Sequence, residues 1–430
     1  MVNVAKIYST LGNPNSLIPL AVKDLSATAG MTAGSFVTGK EEGQDRFIDE
    51  AGTEVIWLLG IPAFKKLFDL TVFKALGYDS KFDARNLKDK DVLEKIKQYA
   101  PEDKVKSGIE KISQHAKTFK TTAMAKFVVS TALTIGSYIG LTRFKQKYTA
   151  NKIRENLIAE YNAKVEKENQ EKENNTPSQA VSNPSFKGLG AVAESFAFNP
   201  VKNMWILDGC ITGERLKDSR SPQEFFGYSI KEAFTLFFMY VAGKKIQGEL
   251  EQRAVAEHNK SIGLDARVLE DGFLKDLFKD GSIQKSIDEF NLANKSNVEL
   301  YEFIHNHPEN AIVKASKMSD IIELYKKTDK IDTRKFIDLE EVKGVNEKIA
   351  KLFEQYKEAL SKGEDVDKFF QGVKKLKRTS ILTNIITCIL ALGVVTPGVM
   401  LLKRLTAGDD EEFQTKKEIR EQLVKEGIIS

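Results

Sequence analysis

The sequence predicts an all-α protein built from two related copies of one helical unit. Runs of alternating apolar and polar residues, which are typical of β-strands, are scarce, and only 10 prolines and 28 glycines interrupt the 430 residues. Two short motifs occur twice in the same order, and each copy then closes with a long apolar run between basic residues. A tandem duplication explains these three recurrences better than coincidence does.

The boundary between the copies is predicted at residues 164–185, a charged and amide-rich stretch that becomes rich in serine and proline. Such a segment buries too little apolar surface to fold, so it predicts a polar linker. The first copy is then residues 1–163 and the second is residues 186–430. The second copy is longer, which places an insertion at about residues 280–377.

The insertion is predicted to form soluble helices, because apolar residues recur in it at steps of three and four. One of these helices is predicted to start at Ser319 and Asp320 and to contain residues 321–325. The clearest apolar series is Ile349, Leu352, Phe353, Tyr356 and Leu360.

The first recurring motif joins a Thr-Gly pair to a later arginine. It is Thr38-Gly39 with Arg46 in copy one and Thr212-Gly213 with Arg220 in copy two. Each glycine follows an apolar stretch, which predicts the C-terminal cap of a helix. The alternative is a repeated ligand loop in which the two arginines bind an anion.

The second recurring motif is Asp-Ala-Arg. An aspartate at this place predicts a helix N-cap, because its carboxylate accepts hydrogen bonds from the free N–H groups of the first turn. The alternative is a charge switch at a membrane surface. Its members would be Asp83 with Arg85 in copy one and Asp265 with Arg267 in copy two.

The two long apolar runs predict membrane-spanning helices. Residues 123–142 contain a single charge, Lys126, and residues 381–402 contain none. A helix of about 20 residues is roughly 30 Å long, which matches the hydrocarbon core of a bilayer. Basic residues flank both runs. The alternative is that both are buried core helices of a soluble fold.

Two shorter apolar stretches, residues 55–64 and 233–243, follow the Thr-Gly motifs. Each is too short for a full span by itself and is typical of a core, re-entrant or interfacial helix, so the chain has two or four spans. Glu54 and Glu232 lie immediately before these stretches, at corresponding places. An intramembrane carboxylate would indicate proton or cation coupling. Ser229 and Glu232 also have the spacing of a capping box, which favours a helix cap.

Small residues in the long runs predict close helix packing. Gly136 and Gly140 form a GxxxG motif, and Gly393 and Gly398 lie around Pro397 in the second run. Such residues let two helix backbones approach each other, either within one chain or between two copies of it.

Known catalytic and cofactor-binding motifs are missing from the sequence. It has no P-loop, no GxGxxG after a strand and no GxSxG, so we predict neither an enzyme nor a cofactor. His305 and His307 lie near each other without cysteines or an HExxH spacing, which does not predict a metal site. Basic residues are mixed with acidic ones at a net charge of +4, which disfavours nucleic acid as a partner.

These features favour a non-enzymatic integral membrane protein. The first hypothesis is a structural or interaction anchor in the bilayer that presents helical extensions at its surface. It would form a homo-oligomer through Gly136 and Gly140, or bind a protein through the insertion at 280–377. The second is a small transporter or channel component with its site between the copies, which is favoured if Glu54 and Glu232 face each other inside the bundle and disfavoured if both point into water. The third is a soluble helical bundle.

Overall fold

The computed structural model describes residues 4–13, 16–168, 200–217, 219, 222–407 and 411–429. Within these ranges the regular structure is helical, apart from one isolated antiparallel bridge between Leu324 and Ile331. The prediction of an all-α fold is confirmed. Most of the predicted linker, residues 169–185, and Arg220 lie outside the described residues.

The helices of the first half run from residue 4 to residue 168. In chain order they are α1 (Val4–Gly12), α2 (Leu17–Thr38), α3 (Lys40–Phe68), α4 (Lys74–Leu76), α5 (Lys90–Gln98), α6 (Asp103–Gln114) and α7 (Ala116–Glu168).

The helices of the second half begin at residue 200. They are α8 (Pro200–Lys217), α9 (Pro222–Leu236), α10 (Gly243–His258), α11 (Ala266–Asp271), α12 (Phe273–Lys279), α13 (Ile283–Ala293), α14 (Asn297–Asn306), α15 (Ala311–Met318), α16 (Leu339–Ser361), α17 (Val366–Leu390), α18 (Thr396–Ala407) and α19 (Glu411–Lys425).

Short segments of π-helix extend the apolar helices. They are Asp69–Phe73 after α3, Phe237–Ala242 after α9 and Ala391–Val395 after α17. The two shorter apolar stretches therefore belong to longer helical segments. Two helical stretches of the described chain, Ala116–Asn162 and Val366–Lys403, are long and apolar enough to cross a membrane by length and composition.

The chain divides into two compact units that differ from the two predicted copies. The first unit is Met1–Pro19, Lys65–Phe127 and Gly243–Ile386. The second unit is Leu20–Phe64, Val128–Ala242 and Thr387–Ser430. Each unit contains segments from both sides of the predicted linker.

The first unit has an apolar core of ordinary composition. Phe119 at the start of α7 is fully buried and makes edge contacts with Phe73, Tyr78 and Phe82 at centroid distances of 5.5–5.7 Å. In the insertion, α16 buries the apolar series predicted from Ile349 to Tyr356, whereas Leu360 is exposed. The helical periodicity of this segment was thus a correct guide to its buried face.

The helix predicted at Ser319 is wrong. Ser319 instead ends α15 as its C-cap, and residues 320–338 contain no helix. Asp320 and Asp329 adopt positive φ angles of 58° and 54°, which a continuing α-helix does not allow. The bridge between Leu324 and Ile331 then closes a tight loop, so these apolar residues follow loop geometry despite their helical spacing.

The Asp-Ala-Arg motifs are helix N-caps, as predicted. The Asp83 carboxylate accepts a hydrogen bond from the backbone N–H of Arg85 at 2.9 Å and caps the 3₁₀ helix Ala84–Leu87. Asp265 caps α11 in the same way, through the N–H of Arg267 at 2.8 Å. Each aspartate also forms an ion pair with the arginine of its own motif.

The predicted glycine caps have different outcomes. Gly39 separates α2 from α3, which fits the end of a helix. Gly213 lies inside α8, so the prediction of a cap there is wrong. The apolar stretch before Gly213 is the middle of a helix that continues to Lys217, and a single glycine does not end such a helix.

A close helix crossing in the second unit depends on glycine. A Cβ atom on Gly30 of α2 would lie 2.1 Å from the carbonyl oxygen of Gly393, and a Cβ on Gly393 would lie 2.9 Å from that of Ser26. No side chain fits between backbones at this separation. Gly398, by contrast, has open space around its Cβ position.

We expect Gly30→Ala to destabilise the protein by about 1–3 kcal/mol or more, because the two helices must move apart. Gly34→Ala, one turn later on α2, is the matched control, since its Cβ would lie 3.8 Å from Pro397 in ordinary contact. Thermal unfolding of both variants measures the difference. Equal melting temperatures would contradict the close crossing.

A pH dependence is expected from His305 on α14. Its ring stacks on Tyr99 at a centroid distance of 4.4 Å, and burial, together with the charge of Lys317, lowers the pKa of His305 from 6.5 to about 4. Between these two pH values the unfolded chain binds a proton that the folded chain does not. Stability therefore falls by up to roughly 3 kcal/mol as the pH drops through this window.

Thermal unfolding between pH 7 and pH 4 tests this expectation. His305→Phe keeps a ring against Tyr99 and removes the titration, so its stability should fall less steeply with acid. His307→Phe removes an exposed imidazole that stacks on Phe303 and should behave like the parent chain. Identical acid sensitivity in the parent chain and both variants would refute a contribution from His305.

Candidate functional site

In the second unit, large apolar side chains are exposed and charged side chains are buried, which is the reverse of the usual arrangement in a water-soluble protein. Most of the exposed large apolar side chains of the described chain belong to it, and among them are Leu59, Trp205, Phe226, Phe234 and Leu402. In the first unit, residues 78–127 and 243–381 expose only Leu292, Leu324 and Leu360 of this class. The interior of the second unit instead contains a network of charged side chains.

One face of α3 supplies the first part of this network. Its residues recur at helical steps of three and four, so they form a single stripe along the helix. All are half-buried or buried in the second unit. The stripe consists of Arg46, Asp49, Glu50, Thr53, Glu54 and Trp57.

Arg215 of α8 lies at the centre of the network with about 8% of its surface exposed. Its Nη1 contacts Glu232 Oε1 of α9 at 2.5 Å, and its Nη2 lies 3.5 Å from Asp49 Oδ2 and 3.8 Å from Glu50 Oε2. Its Nε donates a hydrogen bond to the hydroxyl of Tyr138 at 2.8 Å. One guanidinium thus compensates carboxylates from two helices.

Other bases pair with the remaining carboxylates of this part. Lys231 Nζ lies 2.5 Å from Glu50 Oε1 and 3.4 Å from Glu232 Oε1. Arg46 lies 3.6 Å from Glu50, and Lys145 of α7 lies 3.7 Å from both Asp45 and Asp49. Buried charges are tolerated when they are paired in this way.

The other part of the network is rich in carboxyl groups and poor in bases. Asp24 of α2, Glu54 of α3 and Asp208 of α8 line a cavity of about 30 Å³ together with Glu232. Thr28 donates a hydrogen bond to Glu54 Oε1 at 3.3 Å, and the hydroxyl of Tyr240 donates to Asp208 Oδ2. None of the ion pairs among the described residues joins Asp24, Glu54 or Asp208 to a base.

Glu54 and Glu232 are therefore both buried, and both line one cavity. The capping-box interpretation of Glu232 is wrong, because Ser229 lies inside α9 and donates its hydroxyl to the carbonyl of Phe225. Arg46 belongs to the network. The position of Arg220 cannot be compared, since it is outside the described residues.

The remaining candidates lie elsewhere. Asp83, Arg85, Asp265 and Arg267 belong to the first unit. In the second unit, Cβ atoms on Gly136 and Gly140 would meet nothing within 4 Å, so these glycines make no close helix contact with the described residues. The sequence interpretation did not single out Arg215, Lys231, Asp24, Asp208 or Lys145. The helical spacing of charged residues from Arg46 to Glu54 could have indicated the face of α3 on which the network forms.

Metal binding has no support from geometry. Among the described residues, no group of three or more histidine, cysteine, aspartate or glutamate side chains is arranged to hold a metal ion. The comparisons with other proteins add no assignment. No protein family, no curated protein and no solved structure matches the chain.

We expect Arg215→Gln to lower stability by about 3–5 kcal/mol, because it leaves Asp49, Glu50 and Glu232 short of one buried positive charge. The double variant Arg215→Gln with Glu232→Gln should recover part of this loss. Lys217→Gln, on the same helix, removes an exposed base that lies 3.6 Å from Glu214 and should have little effect. Thermal unfolding of the three proteins measures the coupling. An Arg215→Gln protein as stable as Lys217→Gln would show that the buried pairs do not form.

Proposed function

We propose that the chain is an integral membrane protein of the transporter or channel class, with its binding site in the charge network of the second unit. The observation that carries this proposal is the inversion of that unit, in which buried ion pairs are surrounded by exposed apolar side chains. In water, such an exterior is unfavourable, whereas in lipid it is the favourable surface.

The long apolar helices support a membrane location. In the most apolar windows of Ala116–Asn162 and Val366–Lys403, only 28% and 39% of the residues are buried. The core helix of a soluble bundle would be covered by its neighbours over most of its length. The exposure of these helices therefore favours a bilayer over the hypothesis of a soluble bundle.

The charge network favours transport over a purely structural anchor. An anchor needs apolar helices alone, and each ionised side chain moved to the bilayer centre costs about 2.5–3.5 kcal/mol on insertion scales. The second unit nevertheless buries Asp49, Glu50, Arg215, Lys231 and Glu232 in one place. Charged residues inside membrane helices typically mark pathways for substrates or ions. In an anchor these charges could serve only to align the helices.

A tandem duplication would account for the place of the site. In this proposal Glu54 of copy one and Glu232 of copy two are corresponding residues, and both line the cavity of the second unit. Transporters built from repeats commonly bind their cargo between the repeats, close to interrupted helices. The π-helical segment Phe237–Ala242 directly follows the helix of Glu232.

The membrane location is tested by fractionation of cells that express the full chain, followed by extraction with alkaline carbonate. We expect the protein to stay in the membrane pellet, because lipid must cover the apolar exterior of the second unit. A known peripheral protein serves as the release control. Recovery of the chain in the supernatant would refute both the transporter and the anchor hypotheses.

Cysteine labelling in membranes then separates a transporter from an anchor. Thr235 lines the cavity, and Phe234 beside it is exposed on the apolar surface, so the two positions form a matched pair. With Cys210 and Cys388 replaced by serine, we expect a charged thiol reagent to modify Thr235→Cys and not Phe234→Cys. Modification of neither position would indicate a sealed network and favour the anchor. Modification of both would show that lipid does not cover this face.

A further inference from the structure

We propose that the carboxyl groups of Asp24 and Glu54 share one exchangeable proton, and that this pair is the site at which the protein binds a proton for coupling. The inference rests on the proposed function, because a proton held inside a membrane unit has a use in transport. It deepens that function by naming the ion.

The hydrogen bonds of Glu54 carry the inference. Glu54 is about 5% exposed, and no N–H or O–H donor of the described residues reaches its Oε2 atom, which is fully buried. Thr28 reaches only its Oε1 atom, and the carboxyl group of Asp24 lines the same small cavity and interacts with Glu54. Two ionised carboxylates placed together repel each other and have no hydrogen to share, so this arrangement favours protonation of one of them. Protonation of one carboxyl group supplies an O–H donor for the other.

The charge balance of the network leads to the same pair. The carboxyl groups of the network belong to Asp24, Asp45, Asp49, Glu50, Glu54, Asp208 and Glu232, and the bases ion-paired with them belong to Arg46, Lys145, Arg215 and Lys231.

In the ion pairs among the described residues, these four bases join the carboxylates of Asp45, Asp49, Glu50 and Glu232. Asp208 keeps a neutral donor in the hydroxyl of Tyr240. Asp24 and Glu54 are left with each other and with Thr28. A second uncompensated negative charge at this depth is costly, and protonation removes it.

The groups that face the pair keep the proton exchangeable. Glu50 faces it from α3, Asp208 from α8, and both Lys231 and Glu232 from α9. Lys23 precedes Asp24 on α2, but no ion pair among the described residues joins it to either carboxyl group. The carboxylates favour the protonated pair, whereas the ammonium of Lys231 favours its release. A change in the charge of Glu232 or Lys231 would therefore shift the affinity for the proton.

The cavity has room for a proton acceptor next to the pair. Its volume of about 30 Å³ is sufficient for one water molecule beside the pair. On release, the O–H bond of the acid breaks, the proton passes to that water as hydronium, and a carboxylate remains. Binding is the reverse step, and neither direction needs an oxidant or a second substrate.

Infrared spectroscopy of the full chain, purified in detergent, tests the proposal directly. The carbonyl stretch of a protonated carboxyl group is separate from that of a carboxylate. We expect such a band at neutral pH, and we expect it to lose intensity in Asp24→Asn and in Glu54→Gln. Both variants should still fold, because the new amide N–H supplies the donor that the proton supplied. Glu214→Gln, on α8 but outside the cavity, should keep the band.

Carbon-13 labelling of aspartate or glutamate provides a check on the parent chain alone, since the band must shift with at least one of the two labels. A parent chain with no protonated carboxyl band, or a band of unchanged intensity in both cavity variants, would overturn the proposal. So would loss of the band on addition of sodium ions at constant pH, which would identify a metal-cation site instead. The measurement needs no bilayer, so failure here leaves the membrane location untouched, and release by carbonate leaves this result untouched.

Discussion

The compensation of buried charge is the constraint on which the second unit depends. Arg215 contacts carboxylates on α3 and α9 at once, and its loss would leave buried negative charges short of a base. The ion pairs of Lys231 with Glu50 and of Arg215 with Glu232, each at 2.5 Å, require one alignment of α3, α8 and α9. The glycine crossing at Gly30 and Gly393 then brings α2 close to the second apolar run.

The first unit is organised by more familiar forces. Its helices bury aromatic rings around Phe119 and Phe278, and its short helices begin at aspartate caps. The Asp-Arg turn even recurs a third time outside any helix, where the Asp332 carboxylate accepts from the N–H of Arg334 and pairs with its guanidinium at 2.7 Å. Burial of the whole turn couples the loop before α16 to the 3₁₀ helix, since Asp83 N–H donates to the Arg334 carbonyl at 2.8 Å.

Sequence reasoning predicted the fold class and singled out three members of the charge network, Arg46, Glu54 and Glu232. Periodicity predicted the helices and the buried face of α16, and the aspartate caps followed from one local rule. Gly213 and Ser319 were misassigned because caps and turns depend on what the next residues contact, which a short motif does not record. For the same reason, only some residues of the charge network could be singled out from the sequence. Glu54 and Glu232 could be paired by their places before similar apolar stretches, but Arg215 and Lys231 become partners of Asp49 and Glu50 only through packing between helices far apart in sequence.

The interleaving of the two compact units has a consequence for how the protein is made. The acidic stripe of α3 leaves the ribosome well before Arg215 and Lys231, whose charges it requires, and the closing segment of the same unit begins only at Thr387. Neither half of the chain can therefore complete a unit alone. Until those segments are synthesised, the carboxylates of α3 stay hydrated or protonated. The second unit then folds in one late step. Truncated products would expose mismatched charge and be natural substrates for quality control.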